Sequence, residues 1–172
     1  MSPTVRVLVA GVGNVLRSDD AFGVEAARRM EKMKMPAGVK VVETGIGGMH
    51  LVQELQARWD ALIVLDCVDL GRPPGQVMTI VPDVIDVHAV SLDERMDLLA
   101  DMHLATPERV FMLSKALGVL PEKLIMIGCQ PVDADTPGGP MSQPVEAAIP
   151  LAIEEVFRNI REMQAAPAGS GA

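Results

Sequence analysis

Acidic side chains stand at the ends of two apolar runs in this 172-residue chain. The first, Val7-Leu8-Val9-Ala10-Gly11, passes through Val12-Gly13-Asn14 into Ser18-Asp19-Asp20-Ala21-Phe22-Gly23. The second, Leu62-Ile63-Val64-Leu65, ends in Asp66-Cys67-Val68-Asp69. Each reads as a buried strand, and a doubly wound α/β sheet binds ligands outside the carboxyl ends of its strands, so both sets of carboxylates belong on one rim. A third run, Leu124–Cys129, brings Gln130 and Pro131 to that rim, where the Gln130 amide could hold substrate backbone. Carboxylates gathered there can bind a cation or move protons in a hydrolysis. Asp66 is the most constrained, because an unpaired carboxylate at the buried end of a strand costs several kcal/mol that a metal or a pair of donors must offset. Asp19 and Asp20 precede a helix; either could cap it, and Asp19 could also share a proton with its neighbour or orient it. Gly11-Val12-Gly13 begins like a dinucleotide turn, but Leu16 replaces the third glycine and the two aspartates would repel a pyrophosphate. The turn is read instead as a tight strand-to-helix connection through Gly13, with Asn14 bridging backbone groups and holding the acidic turn. Asp69 reads as fixing its loop.

The positioning elements follow from apolar period and turn residues. Val5–Gly11, Val39–Thr44, Ala61–Cys67 and Lys123–Cys129 are expected as strands. Gln76–Val81, after the Pro73-Pro74-Gly75 turn, is expected as an antiparallel edge strand. Phe22, Ala26, Met30 and Met33 recur at helical spacing, and a short helix is expected around Met49–Gln56. Pro82–Leu104 is weakly patterned, with Leu92, Met96 and Leu99 as a helical stripe. Thr106 can cap a helix that has Pro107 at its first position and Gly118 beyond its end. Asp133–Pro140 is a loop. Ser142 can cap a last helix with Val145, Ile149, Ala152, Val156 and Ile160 on its buried side, in which Pro150 makes a kink or a distorted start. The fold expected is an α/β three-layer sandwich, a mostly parallel twisted sheet flanked by helices. It occupies one domain over 1–164, with 165–172 as a flexible tail.

Composition excludes several classes. A formal net charge of −8 with scattered basic residues argues against a nucleic-acid partner. No segment approaches the apolar length that spans a bilayer. Cys67 and Cys129 lie in strands rather than in a disulfide scaffold, which points to a reducing cytoplasm. Cys67 follows Asp66 on its strand and so faces the opposite side of the sheet. With few aromatics the core must be aliphatic, and most of the 12 methionines are read as gap fillers. No serine nucleophile elbow occurs, and neither cysteine has a histidine partner nearby in sequence.

Gly-x-Gly-Asn…Asp-Asp-x-x-Gly at 11–23, Val-Leu-Asp-x-x-Asp at 64–69, Gly-x-Gln-Pro at 128–131 and a terminal helix containing Ala-Ile-Pro occur in order. In these the chain resembles the hydrogenase maturation endopeptidases from about Val5 to Ile160. The resemblance implies an endopeptidase that trims the C-terminus of a nickel-containing hydrogenase large-subunit precursor after nickel insertion. It also implies that Asp20 and Asp66 are metal ligands and, with Asp19, the catalytic aspartyl-type carboxylates. Glu is frequent in the family at the place of Asp20. The family's third ligand is a histidine just ahead of the helix leading to Gly-x-Gln-Pro, which matches His103; its neighbours differ from the usual ones, His88 is the fallback, and His50 could be accessory. Two carboxylates and an imidazole suit nickel, supplied by the substrate, or zinc. Gly13, Asn14 and Gln130 would support loop and substrate. Water activated by the metal or a carboxylate would attack the peptide, and the protein is expected as a monomer. The rival reading is a non-catalytic metal-sensing or chaperone module for hydrogenase assembly.

Overall fold

A computed structural model describes residues 4–46, 48–100 and 106–165. Four strands are parallel: β1 (Val7–Val12), β2 (Val39–Gly45), β3 (Ala61–Cys67) and β5 (Lys123–Cys129). β4 (Val77–Ile80) runs antiparallel to β5, and the sheet order is β2-β1-β3-β5-β4. The β3 and β5 bounds coincide with those expected from sequence, and the antiparallel edge strand is present. β1 starts two residues later than expected and reaches Val12.

The sheet is covered on both faces, which explains why its central strands are apolar without interruption. Side chains alternate by position. Val7, Val9, Ile63, Leu65, Ile125 and Ile127 pack beneath α1 (Phe22–Glu31) and α5 (Gln143–Ala165). Leu8, Ala10, Leu62, Val64, Leu124 and Met126 pack against α2 (Gly48–Leu55) and α4 (Pro107–Ala116). The result is the three-layer α/β architecture. The same alternation puts Asp66 on the α2/α4 side and Cys67 on the α1/α5 side, where Cys67 stands in register with Cys129.

Three helix details depart from the sequence reading. α3 (Leu92–Ala100) forms, but Leu92 and Met96 are exposed rather than turned inward. Thr106 takes the extended N-cap conformation before Pro107 without a side-chain hydrogen bond. The expected stripe of α5 is buried throughout, and of the two expectations for Pro150 the distorted start is excluded, since it sits inside the helix. The expected cap, Ser142, accepts from Glu146 N through its carbonyl while its hydroxyl donates elsewhere, to Asp19 at 3.0 Å. The expected tail overlaps α5 at Ala165, and 166–172 lie outside the described residues.

Candidate active site

Two close approaches bring the acids to the same place. Gly23, in the first turn of α1, lies against β1 and β3: a Cβ there would fall 2.1 Å from the Leu65 carbonyl oxygen and 2.3 Å from that of Val12. No side chain fits, so glycine lets the start of α1 sit over the carboxyl ends of both strands. Gly13, at φ 136°, similarly lies under Asp20, whose carbonyl oxygen would be 1.9 Å from an added Cβ. Between these glycines a 3-10 turn, Ser18–Ala21, carries Asp19 and Asp20.

The two neighbours have opposite surroundings. Asp20 is half-buried at the rim, and its Oδ2 accepts from Asn14 N at 3.0 Å. Burial raises its pKa above the ordinary value; the Asn14 N–H and Arg17 oppose this, and Asp135 adds to it. Asn14 also accepts from Leu16 N at 2.9 Å, so it braces the loop as expected of a bridging side chain. Asp19 is fully buried. Its Oδ2 accepts from Val132 N at 2.8 Å, Asp133 N at 3.0 Å and the Ser142 hydroxyl at 3.0 Å, and its Oδ1 accepts from Ser142 N at 2.6 Å. Burial is the largest single influence and pushes its pKa up, but the donors on Asp133, Ser142 and Val132 together outweigh it and hold the group ionised. Asp19 supplies no cap to the 3-10 turn or to α1.

Asp66 is the penultimate residue of β3, with 8% of its surface exposed. Among the described residues it accepts one hydrogen bond, from Cys67 N at 2.8 Å. Burial pushes its pKa up to about 8; the Cys67 N–H lowers it, and the negative charges of Asp20 and of Glu108, in the first turn of α4, raise it further. Asp66 and Asp20, 46 positions apart in sequence, thus sense each other across the rim. Among the described residues the two carboxylates together accept only two hydrogen bonds, one from Asn14 N and one from Cys67 N, so neither charge is fully compensated.

Gln130 supports its loop as expected, through an amide that is already engaged. It is buried, its Oε1 accepts from Leu70 N at 2.9 Å and Arg72 N at 3.0 Å, and its Nε2 donates to Asp69 at 2.8 Å. Its amide is occupied in shaping the loop after β3, with Asp69, which also accepts from Gly71 N, as the second brace. His50 is exposed and pairs with Glu54 on its own helix, and His88 is exposed in the segment before α3. His103 lies outside the described residues. Among the described residues no three His, Cys, Asp or Glu side chains form a metal-sized cluster. Glu108 was not singled out from the sequence; an acid in a first helical turn is too ordinary to signal a site.

A family model described as hydrogenase maturation protease matches residues 24–159. The chain belongs to the hydrogenase maturation protease family. It is therefore a peptidase by family, and the matched stretch contains Asp66 and begins four residues after Asp20. The hydrogenase expression/formation protein HupD of Rhizobium leguminosarum bv. viciae is 36% identical over 160 residues, covering 92% of this chain and 76% of that protein. HupD of Rhodobacter capsulatus is 38% identical over 157 residues, covering 91% and 71%. Among solved structures, the hydrogenase maturating endopeptidase HybD of Escherichia coli superposes with TM-score 0.70 at 29% identity, covering 92% of this chain and 94% of that one. The hydrogenase 2 maturation peptidase of a Thaumarchaeota archaeon gives TM-score 0.65 at 34% identity, covering 91% and 98%. These matches bear out both the resemblance and the three-layer fold.

Proposed function

We propose that this peptidase removes the C-terminal extension of a nickel-containing hydrogenase large-subunit precursor after nickel insertion, and that Asp20, Asp66 and His103 recognise the nickel. The observation that carries the reading is the meeting of Asp20 and Asp66 at the carboxyl rim, with Asp66 buried on a single backbone donor among the described residues. Such a pair is costly without a cation and favourable with one, so a metal held by the precursor supplies what the site lacks. A precursor without metal would bury the same carboxylates with nothing to pair them, and this gives discrimination.

The chemistry asked of the chain is modest. Asp66, neutral in the free protein near pH 7, gives up its proton when a cation arrives. Asp20, closer to solvent, stands where it can ligate or take a proton from water. Engagement of the metal would fix the neighbouring peptide bond over the rim, so that positioning accounts for much of the rate. Gln130 and Asp69 keep the β3 loop rigid beneath it. The protein is proposed to act as a monomer in the cytoplasm; among the described residues no helix is long and apolar enough to cross a membrane.

The test is to incubate the protein with nickel-loaded precursor, and separately with nickel-free precursor plus zinc, and to weigh the products. Shortening of the nickel-loaded precursor alone is expected. Shortening in the zinc tube would overturn nickel recognition, and binding of the loaded precursor without any mass change would favour the non-catalytic module.

A further inference from the structure

We propose that Asp19 is the positioning residue that holds Asp20 on the rim, by clamping the loop after β1 to the loop between β5 and α5. The inference rests on the metal-binding role given to Asp20 above.

The clamp joins distant parts of the chain. All four donors to the Asp19 carboxylate come from residues 132–142, more than 110 positions away. The two loops meet again on either side of it. Asp19 N donates to Asp133 O at 3.0 Å, Gly138 N to Leu16 O at 2.8 Å, and the Ser18 hydroxyl to Pro140 O at 3.0 Å, while Arg17 forms an isolated bridge with Pro137. Asp19 is the buried centre of this seam and its one buried charge.

The backbone here needs such a hold. Ser18 has φ 26°, a conformation that an L-residue keeps only where its surroundings over-determine it. A 3-10 turn has three residues per revolution, so consecutive side chains diverge by about 120°. With Asp19 turned into the seam, Asp20 is turned out, towards Asn14 and the rim. Loosening Asp19 therefore lets the turn rotate, and the first group displaced is the Asp20 carboxylate. An apolar residue could fill the buried position but could not satisfy three backbone N–H groups at once. Residues that orient a metal ligand typically change affinity by about 10–100-fold when replaced.

The proposal makes Ser142, which lies on the far side of the seam from Asp20, matter to metal binding. Nickel(II) is titrated calorimetrically into the unaltered 172-residue protein and into D19N, S142A, D20A and I160V, with a melting curve and cleavage of nickel-loaded precursor for each. I160V trims the buried side of α5 far along the helix and reports pure loss of stability. Loss of nickel affinity by about 10-fold in D19N and a few-fold in S142A, with kcat falling in step, is expected. I160V should melt lower with affinity and kcat unchanged. If D19N does not fold, S142A decides alone, since it removes one bond and leaves the buried charge with the others. Lower melting of S142A or D19N with nickel affinity as in the unaltered protein would reduce Asp19 to a structural tie and overturn the proposal. D20A separates the two readings: if it binds nickel normally, the metal-binding role of Asp20 itself fails; if it loses nickel while D19N and S142A keep it, only the positioning role fails.

Discussion

Three aspartates within one loop system show how surroundings decide what a carboxylate can do. Asp19 is surrounded by donors and stays charged, Asp20 keeps one backbone donor at the rim, and Asp66 is buried with a pKa near 8. The last has a direct consequence for stability. Its folded pKa is raised above its ordinary value of 3.8, so the native state binds the proton more tightly than the unfolded chain. Stability contributed this way is fully present below about pH 4 and is lost as pH rises through about 8. The melting temperature of the metal-free protein should therefore decline between these limits, and D66N should flatten the decline and melt higher at pH 8.5, as followed by calorimetry. Nickel must displace the same proton, so nickel affinity should climb with pH up to about 8 and then level off. At this scale, too, D20A and D66A should each abolish precursor shortening while melting no lower than the unaltered protein, because burial disfavours the ionised form of both carboxyl groups and each variant removes that cost. Normal cleavage by both would remove the acid pair from the mechanism.

At the scale of elements, the approach of α1 to the sheet is set by Gly23. G23A would drive a methyl group into the carbonyl oxygens of Leu65 and Val12, and a loss of about 3 kcal/mol or more is expected in denaturant titrations. Pro150 offers the reverse case. It lies exposed inside α5 and leaves the Glu146 carbonyl without its helical donor, so P150A should raise stability by about 1 kcal/mol or more. The strands were the most legible elements, because burial on both faces demands the continuous apolar runs seen at Ala61–Cys67 and Lys123–Cys129. The stripe of α5 was legible because burial of one side of a helix demands apolar residues at helical spacing. Where the sequence reading strayed, the deciding contacts were long-range. Ser142 looks like a cap from its neighbours, but its hydroxyl is drawn to Asp19, 123 residues away. Gln130 looks available at a strand end, but two backbone N–H groups at 70 and 72 claim its oxygen. Leu92 and Met96 have helical spacing without a surface to cover, since spacing records a helix face and not what lies opposite. Asp66 stands out in the sequence because a carboxylate at the end of an apolar strand is locally anomalous, whereas Asp20 is singled out by the family resemblance; that they adjoin follows from β1 and β3 being neighbours in the sheet.

For the whole molecule, the order β2-β1-β3-β5 points four parallel strands the same way and collects their outgoing loops on one rim. A ligand seated there touches segments far apart in sequence and ties them together. Nickel should therefore raise the global melting temperature as well as the local order of the loops. At a free concentration about 100-fold above its dissociation constant, the gain is about 2.7 kcal/mol if only the native state binds. The melting shift should be absent in D20A and D66A. A shift that persists in both would place the nickel elsewhere on the molecule.

The register of Cys67 with Cys129 carries a consequence for which ions the rim can keep. Burial, the first influence on each, pushes both thiols well above their usual titration range, Cys129 to about 12, and the nearby aspartates push in the same direction. Protonated sulfur is a poor ligand, and these sulfurs lie across the sheet from Asp66. A thiophilic ion such as copper(I) or cadmium therefore finds oxygen donors at the rim and no thiolate beside them, so weak retention of soft metals by the purified protein is expected. The same chemistry should make both cysteines slow towards iodoacetamide at neutral pH, with the added mass appearing only as the protein unfolds.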